Sequence, residues 1–265
     1  MLQDRGKDIS VFDETFLMQS VRKRLTANGV GSLALYTEVL KANAEEAALL
    51  WGSINISYSE FFRNPFTFFL IEQLVLPALI EKMRQNARPE IRIWSAGCAA
   101  GQEAYSLAIL VEDLAEKGAD ASAFRIFATD HSQSAVAFAQ HGVYDPAALR
   151  NVRLKHIQKY FREEREYYRI ADRLKARIDF SVHNLLDDCS ICPPASIYGD
   201  FDLIFCSNLL FYYRPDIRKE ILAKLCKVLL PGGYLITDSA EIQIAKTVTG
   251  FRSIAPMTSA VFQRQ

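Results

Sequence analysis

Residues 91–106 read Ile91-Arg92-Ile93-Trp94-Ser95-Ala96-Gly97-Cys98-Ala99-Ala100-Gly101-Gln102-Glu103-Ala104-Tyr105-Ser106. A β-prone apolar run leads into a turn with two glycines, and a helix-like pattern begins near Gly101. Gly97 and Gly101 lack Cβ atoms, so the backbone there can turn tightly and approach a ligand closely. The first amide groups of the predicted helix have no partner within the helix. The stretch therefore predicts a cofactor cradle at the carboxyl end of a strand.

The spacing of these glycines differs from the Gly-x-Gly-x-x-Gly pattern that binds the pyrophosphate of dinucleotides. A different adenosyl ligand is therefore favoured. A second β-prone run, residues 124–130, closes on Asp130. An acidic side chain after the second strand is where ribose hydroxyls are bound in such folds. Asp130 is thus a candidate ribose ligand, and its alternative role is an N-cap for a helix that begins near Ser132.

Composition places the chain among ordinary globular proteins. Its 265 residues are 50% hydrophobic and 23% charged, which suits one large domain or a main domain with a smaller companion. Lysine plus arginine equals aspartate plus glutamate at 31 each, so the overall charge does not favour nucleic acid or an anionic membrane as partner.

Targeting signals and metal sites are not expected either. No apolar run approaches the roughly 18 residues of a membrane span, and the first residues lack the apolar core of a secretory signal. The sequence therefore predicts a cytoplasmic protein without membrane insertion. Cys189 and Cys192 have the two-residue spacing of zinc or redox sites, but no second cysteine pair and no nearby histidine supplies the remaining ligands. The four histidines show no metal-ligand spacing, so no metal centre is predicted.

The chain divides into two predicted parts. Residues 1–86 are predicted to form an all-helical N-terminal domain and linker, with a kink at Pro77. From residue 87 to 265, strands and helices alternate. We predict strands at 90–96, 124–130, 177–183, 201–207 and 233–238, helices at 101–117, 132–141 and 215–229, and one or two edge strands within 250–264. This alternation predicts an α/β fold with a doubly wound, mostly parallel sheet and a ligand at the carboxyl ends of its strands.

An insertion interrupts the second part at about residues 150–180. It is polar and charged, and residues 166–170 followed by 174–178 suggest a β-hairpin. We therefore predict a small β-subdomain there.

Six motifs between residues 55 and 240 resemble, in family order, those of the chemoreceptor glutamate methyltransferases of the CheR type. They lie at 59–65 (Ser-Glu-Phe-Phe-Arg-Asn-Pro), 94–106, 128–130 (Ala-Thr-Asp), 184–186 (Asn-Leu-Leu), 201–213 and 230–235 (Leu-Pro-Gly-Gly-Tyr-Leu). The resemblance implies a Rossmann-like class I methyltransferase fold. It also implies transfer of a methyl group from S-adenosylmethionine to receptor glutamates, with S-adenosylhomocysteine as product.

The implied chemistry agrees with the absence of a catalytic histidine pattern. A glutamate carboxylate has a reference pKa of about 4.3, so at neutral pH it is already an anion and needs no general base. The enzyme then contributes mainly alignment of the acceptor with the methyl group and exclusion of water.

Two residues are assigned catalytic roles by the resemblance. Arg63 would lie near the donor and the accepting carboxylate, where its fork of donors could fix that carboxylate; a surface salt bridge is its alternative role. The hydroxyl of Tyr212 would line the transfer site. Tyr213, where the family usually has Phe, is predicted to be a packing residue.

The resemblance also assigns the contacts of the cofactor. Glu103 would lie near its amino-acid portion, Asp130 at the ribose, and Asn184 with Leu185 at the adenine. Ser207 and Asn208 would close the pocket under the glycine loop, although Asn208 could instead be a strand-end turn residue. The full predicted set is Ser57, Ser59, Arg63, Gly97, Glu103, Asp130, Asn184, Leu185, Ser207 and Asn208.

Three serines depart from the family pattern. Ser57 and Ser59 stand where Asn and Thr are frequent, and Ser207 stands where Arg is frequent. These three positions bear on how tightly the methyl donor, S-adenosylmethionine, binds. They keep open two alternatives, a regulatory module that binds S-adenosylmethionine without catalysis and a methyltransferase for a small molecule. A nicotinamide-dependent oxidoreductase is disfavoured by the glycine spacing.

Receptor recognition is implied at one basic cluster. In the family a basic N-terminal helix lies along the acidic methylation helices of the receptor, and Arg22, Lys23 and Arg24 could serve in this way. Three consecutive residues cannot all lie on one helix face, so a solvated face is the alternative. Some members also bind a receptor's C-terminal pentapeptide through the β-subdomain. The short stretch between Phe161 and Arg177 favours a form that does not need this tether.

Overall fold

The computed structural model describes residues 8–54, 58–86, 88–116, 123–187, 189–196, 199–247, 250–254 and 260–265. The helices, α1 to α11 in chain order, are Glu14–Ala27, Leu33–Ala42, Ala44–Ile54, Pro65–Leu70, Leu76–Gln85, Gln102–Glu116, Gln133–His141, Leu154–Tyr160, Asp172–Lys175, Pro215–Val228 and Ile242–Ala245. The strands, β1 to β10, are Ile91–Ala96, Phe124–Asp130, Val143–Tyr144, Phe161–Glu164, Tyr167–Ile170, Ile178–Val182, Phe201–Phe205, Leu229–Ile236, Phe251–Ser253 and Val261–Arg264. A π-helical turn, Ile71–Val75, joins α4 to α5, and 3₁₀ turns lie at Pro146–Leu149, Leu210–Tyr212 and Ser239–Glu241.

Two compact units make up the chain. The first comprises the chain to residue 56 together with Leu209–Glu220, and the second comprises Ser57–Asn208 and Ile221–Gln265. Within the described ranges, no helix is both long enough and apolar enough to cross a membrane.

The first unit is built around α1, α2 and α3. Its buried core consists of Tyr36, Leu40, Ala47, Leu50 and Ile54. The later segment Leu209–Glu220 joins this unit through an antiparallel bridge between Phe12 and Tyr213, whose rings stack with centroids 5.3 Å apart. The packing role predicted for Tyr213 is therefore confirmed.

The basic cluster of α1 is split by its surroundings. Arg22 and Lys23 are exposed, whereas the guanidinium of Arg24 forms an ion pair with Glu46, a carboxylate that is 3% exposed. The Tyr36 hydroxyl also donates to Glu46, at 2.7 Å. The hydrogen bond from Arg24 lowers the pKa of Glu46 to about 2. Arg24 therefore fastens α1 to α3, and the exposed part of the cluster is Arg22 and Lys23.

The second unit contains a seven-stranded sheet in the order β6-β2-β1-β7-β8-β10-β9. The pairings from β6 to β8 are parallel, and β10 is antiparallel to both of its neighbours. From β1 the chain adds β2 and β6 on one side and then β7 and β8 on the other. The doubly wound, mostly parallel sheet is thus confirmed, and its order reverses beside β1, where ligands bind in such folds.

Helices α4 and α5 belong with this sheet and not with an N-terminal domain ending at residue 86. Phe68, Ile71 and Leu76 are buried in the same core as Ile93 and Ile109. Their apolar positions recur at helical spacing and are covered within this unit. The two compact units divide between residues 56 and 57 instead.

A π-helical turn, Ile71–Val75, ends two residues before Pro77, where we predicted a kink. The amide of Leu76 donates to the carbonyl of Ile71, five residues earlier. Proline has no N–H to continue the regular α-helical pattern, so a widened turn N-terminal to Pro77 is a common accommodation.

The β-subdomain exists, but its predicted hairpin was wrong. Strand β5 pairs with β4 and with the short β3. The stretch predicted as the second hairpin strand instead forms α9 and the beginning of β6. The tight turn between β4 and β5 includes Arg165, at φ 59°, a conformation that glycine or asparagine usually signals. The sequence has neither residue there, so the turn was missed.

Candidate functional site

The carboxyl ends of four parallel strands meet at one edge of the sheet. Ser95 of β1 is in register with Ala128 of β2 and Phe205 of β7, and Asp130 is in register with Val182 of β6. The segments that follow these strands therefore share one edge, as in other open α/β sheets. Four of the predicted site residues lie on them, namely Gly97, Asp130, Asn184 and Asn208.

The glycine loop between β1 and α6 has an unusual backbone. Gly97, Ala99 and Gly101 have φ values of 76°, 46° and 88°. The amides of Gly97 and Cys98 both donate to the carbonyl of Thr129 at 2.8 Å. A Cβ at Gly101 would lie 2.8 Å from the Cβ of Ala139 in α7, closer than carbon atoms can approach. The loop is therefore held tightly against β2 and α7.

Asp130 organises this loop. Its Oδ2 accepts a hydrogen bond from the amide of Ala99 at 2.9 Å, and its Oδ1 accepts one from the amide of Ser132 at 2.9 Å. The N-cap of α7 is Ser132, whose hydroxyl accepts from the amide of Ala135, so the alternative role of Asp130 as that cap is wrong. Carboxylate oxygens carry further lone pairs, so these contacts leave room for a ribose hydroxyl, and that role stays a prediction.

Glu103 is the buried acidic residue of the site. It lies in the first turn of α6 and is 5% exposed. Its pKa is raised to about 8, mainly by burial; the charge of Arg63 lowers this pKa, and the charges of Glu241 and Asp238 raise it. A cationic ligand group beside these acids would favour the ionised form of Glu103.

Arg63 is positioned by a turn that is fastened to α6. The residue before it, Phe62, has φ 49°, and its amide donates to the Ser106 hydroxyl at 3.0 Å. That hydroxyl in turn donates to the carbonyl of Gln102 at 2.7 Å. Arg63 itself is half-buried, with its guanidinium carbon 5.4 Å from the centre of the Tyr58 ring.

The aromatic ring beneath Arg63 is itself held by Glu60. The Tyr58 hydroxyl and Arg150 both bind this carboxylate, and Asn151 donates to it at 3.1 Å. The hydrogen bond from Tyr58, with the charges of Arg150 and Arg63, lowers the pKa of Glu60. The charge of Arg63 thus acts on the carboxyl groups of both Glu60 and Glu103. This environment differs from the single surface salt bridge that we considered as its alternative role.

Two buried polar atoms fit a site for a polar ligand. Among the described residues, five buried side-chain atoms have no hydrogen-bond partner, and Ser59 Oγ and Gln102 Oε1 are two of them. Their residues are 7% and 8% exposed. A buried polar group without a partner costs about 1 to 3 kcal/mol, which a polar ligand would recover. Ser57, the other serine predicted here, lies outside the described residues.

The remaining predicted contacts lie after β6 and β7. The exposed Asn184 accepts the amide of Leu186 through its side chain, at 3.0 Å, and Leu185 is 9% exposed. Asn208 has φ 58°, its amide donates to Glu241 at 3.2 Å, and its side chain donates to the Ser207 hydroxyl at 3.0 Å. Asn208 thus has the geometry of a turn residue. The cofactor contacts of these side chains stay predictions.

Tyr212 belongs to the first unit. Its ring lies 4.8 Å from that of Phe16 and 4.1 Å from that of Phe211, measured between centroids. Its carbonyl accepts the amide of Asp13 at 2.8 Å. The part of its hydroxyl in methyl transfer stays a prediction.

Sequence reasoning missed two residues of the second unit that support the site. Ser106 lay inside a quoted motif but was given no role. Glu241 is fully buried and accepts the amides of Asn208 and Asp238. A signal for it existed, because Asp238-Ser239-Ala240-Glu241 has capping-box spacing, and the structure contains that box.

Comparison with known proteins adds independent information. A family profile described as "CheR methyltransferase, SAM binding domain" matches residues 57–257. Chemotaxis protein methyltransferase 1 of Pseudomonas aeruginosa is 34% identical over 184 residues, which cover 68% of this chain and 64% of that protein. A chemotaxis protein methyltransferase of Borreliella burgdorferi is 26% identical over 262 residues, 98% of this chain and 89% of that protein.

Another relative is much longer. An uncharacterized 104.1 kDa protein of Rhodobacter capsulatus is 29% identical over 225 residues, which cover 85% of this chain but 23% of that protein. The chain therefore spans less than two thirds of the length of this relative and of the Pseudomonas protein.

Proposed function

Because this chain belongs to the CheR methyltransferase family, with residues 57–257 matching its S-adenosylmethionine-binding domain, we propose that it methylates glutamate side chains of a chemoreceptor. S-adenosylmethionine is the cofactor of this domain. The observation that carries the proposal is the glycine loop, which is held against β2 and α7 at the switch point of the sheet and is followed by the buried Glu103 in the first turn of α6. The charge of Arg63 acts on this carboxylate.

The acidic residues of the second unit suit this cofactor. When bound, S-adenosylmethionine supplies an electrophilic methyl group on a positively charged sulfur. Glu103 would bind the positively charged amino group of the amino-acid portion, which favours the ionised form of the carboxyl group. Asp130 would bind the ribose while keeping the glycine loop in place. The partnerless oxygens of Ser59 and Gln102 would gain hydrogen bonds.

Arg63 would orient the acceptor. A glutamate side chain is anionic at neutral pH, and the planar guanidinium can bind a carboxylate through two parallel hydrogen bonds. Fixing the carboxylate in line with the methyl group lowers the barrier by alignment, without a general base. Tyr212, which the family resemblance places at the transfer site, would act with its hydroxyl.

Receptor binding would use the exposed part of the basic cluster of α1. Arg22 and Lys23 are free of the Glu46 ion pair that engages Arg24. Acidic receptor helices would therefore meet two cations and not three. The β4–β5 hairpin is short, with strands of four residues each, which supports a form that does not use a pentapeptide tether.

Incubation with methyl-labelled S-adenosylmethionine and a chemoreceptor cytoplasmic fragment tests the proposal. We expect base-labile label that is released as methanol. Arg63→Ala should lower kcat by about a hundredfold or more, while the Kd for S-adenosylhomocysteine changes much less, because orientation of the acceptor is lost. Arg63→Lys should recover little activity, since lysine keeps the charge but not the fork.

Arg84→Ala is the matched control, because Arg84 is an exposed arginine of α5 paired with Glu81. Its activity should equal that of the unmodified protein. Binding of S-adenosylhomocysteine without any base-labile product would contradict the proposal and favour a regulatory module. Label on a small molecule would instead favour a methyltransferase for a small molecule.

A further inference from the structure

A row of large apolar side chains is exposed directly after Arg63. Phe66, Phe69 and Leu74 are 47%, 50% and 51% exposed. They lie on α4 and the π-helical turn, and Pro65 at the start of this row is exposed as well. Contiguous apolar surface of this kind on a protein often marks an interaction site.

The row borders a groove with an apolar floor. Pro65 and Phe69 line it together with the buried Phe62, Phe68 and Leu110, and the remaining lining residues are Glu72, Asn151 and Arg153. The groove thus combines apolar walls with a positively charged edge, which suits an amphipathic helix bound by its apolar face.

In the two ion pairs around this groove, the arginine side chains are more exposed to solvent than the glutamates. Arg153 is 54% exposed, whereas its partner Glu72, 3.3 Å away, is 7% exposed. Arg150 and Glu60 are 62% and 18% exposed. Because the carboxylates are shielded and the guanidinium groups reach into solvent, an approaching partner meets positive charge.

We propose that the Phe66 surface, comprising Pro65, Phe66, Phe69, Leu74, Arg150 and Arg153, docks an acidic amphipathic helix of the acceptor protein. The identification of this helix as the acceptor rests on the proposed function. Arg63 lies in the turn directly before Asn64, the N-cap of α4, and Phe66 is the second residue of that helix. A helix that lies on this surface therefore brings its acidic side chains close to the guanidinium that orients the carboxylate.

Direct binding tests this surface without requiring catalysis. The probe is a fluorescein-labelled synthetic peptide of about four heptads, with Leu at the a and d positions and Glu at the exposed positions. Its Kd is measured by fluorescence anisotropy with the full chain and S-adenosylhomocysteine. Phe66→Ser/Phe69→Ser should weaken binding by about tenfold or more. A peptide with Gln in place of Glu should bind several-fold more weakly and lose its dependence on salt.

Leu49→Ser is the matched control, because Leu49 is a leucine of α3 that is 49% exposed. The Kd of the peptide for this variant should equal that for the unmodified protein. Circular dichroism checks the folding of each variant. If the double variant does not fold, Leu74→Ser alone should weaken binding about threefold or more. Equal Kd values for the folded variants and the unmodified protein, or no binding of the peptide to the unmodified protein, would overturn the proposal.

The outcomes separate this surface from the proposed function. Peptide binding that depends on Phe66 and Phe69, in a protein that transfers no methyl group to receptor fragments, would support the docking surface and contradict the proposed function. Methyl transfer to receptor fragments with an unchanged KM in the double variant would contradict only the docking surface.

Discussion

Glu103 links the stability of the protein to pH. Its folded-state pKa of about 8 lies above the usual value of 4.5. It therefore contributes stability that is fully present below about pH 4.5 and is lost as the pH rises through about 8. In Glu103→Gln the side chain stays neutral. Relative to this variant, the unmodified protein should lose about 3 to 5 kcal/mol of unfolding free energy between about pH 5 and 9.

Urea unfolding at a series of pH values measures this difference. Since other groups titrate equally in both proteins, only the difference between the two curves reports Glu103. Parallel curves would contradict the raised pKa. With S-adenosylhomocysteine present the loss should shrink, because the positively charged amino group of the ligand favours the ionised carboxylate.

Tyr58 provides the ring beneath the guanidinium of Arg63. Replacing it by Ser removes the ring and the hydroxyl, whereas Tyr58→Phe keeps the ring. A partly exposed cation–π contact contributes about 0.5 to 1 kcal/mol. We therefore expect Tyr58→Ser to lower kcat/KM for the acceptor by about two- to fivefold and Tyr58→Phe to recover most of this loss. Steady-state kinetics checks both, and equal losses in the two variants would indicate that the hydroxyl matters instead.

At the scale of single residues, the position of Asp130 at the end of β2 could be predicted, because the apolar run of the second strand ends there. The role of Glu103 came only from the family resemblance, and the cofactor contacts of both residues stay predictions. The contact between Phe62 and Ser106 could not, because it joins residues 44 positions apart through a backbone amide that carries no sequence signal.

The packing of the glycine loop against α7 makes Gly101 irreplaceable. Gly101→Ala would place a Cβ 2.8 Å from that of Ala139 at φ 88°, so we expect a loss of about 2 to 4 kcal/mol in stability. Adding Ala139→Gly should relieve the collision but not the backbone strain. Chemical denaturation of both single variants and the double variant should show a favourable coupling of about 1 kcal/mol or more. If the stability losses of the two single variants simply add in the double variant, the backbone strain at the positive φ of residue 101 accounts for the whole loss in Gly101→Ala.

At the scale of elements, the regular strands and helices of the second unit were predicted closely, because their apolar runs have clear periods. The β4–β5 hairpin was misplaced, since its turn relies on Arg165 in a left-handed conformation. The strand partner was then sought after β5 instead of before it.

At the scale of the whole molecule, Arg218 joins distant parts of the first unit. It bonds to the Asp13 carboxylate, 205 positions away, and to the carbonyls of Phe211 and Tyr213. Arg218→Ala should therefore lower the local stability of the start of α1 by about 1 to 3 kcal/mol. Hydrogen exchange of the amides of residues 13–17 measures this change. Lys219→Ala, an exposed neighbour, should leave exchange unchanged, and equal protection in both variants would contradict this role.

The membership of Leu209–Glu220 in the first unit had no local signal. Its motif was quoted with that of β7, to which it is joined in sequence. Pairings such as that of Phe12 with Tyr213 depend on the tertiary fold, and no period within either segment indicates them.

This arrangement has a consequence for biosynthesis. A ribosome releases the N-terminal helices long before Tyr213 and Arg218 are translated, so α1 emerges without the strand bridge and the ion pair that fasten it. Domains usually fold in order as they leave the exit tunnel. Here α1 must wait for a segment that is 205 positions later in the chain. Gene fragments encoding only α1 to α3 would therefore yield a polypeptide that lacks part of its own fold.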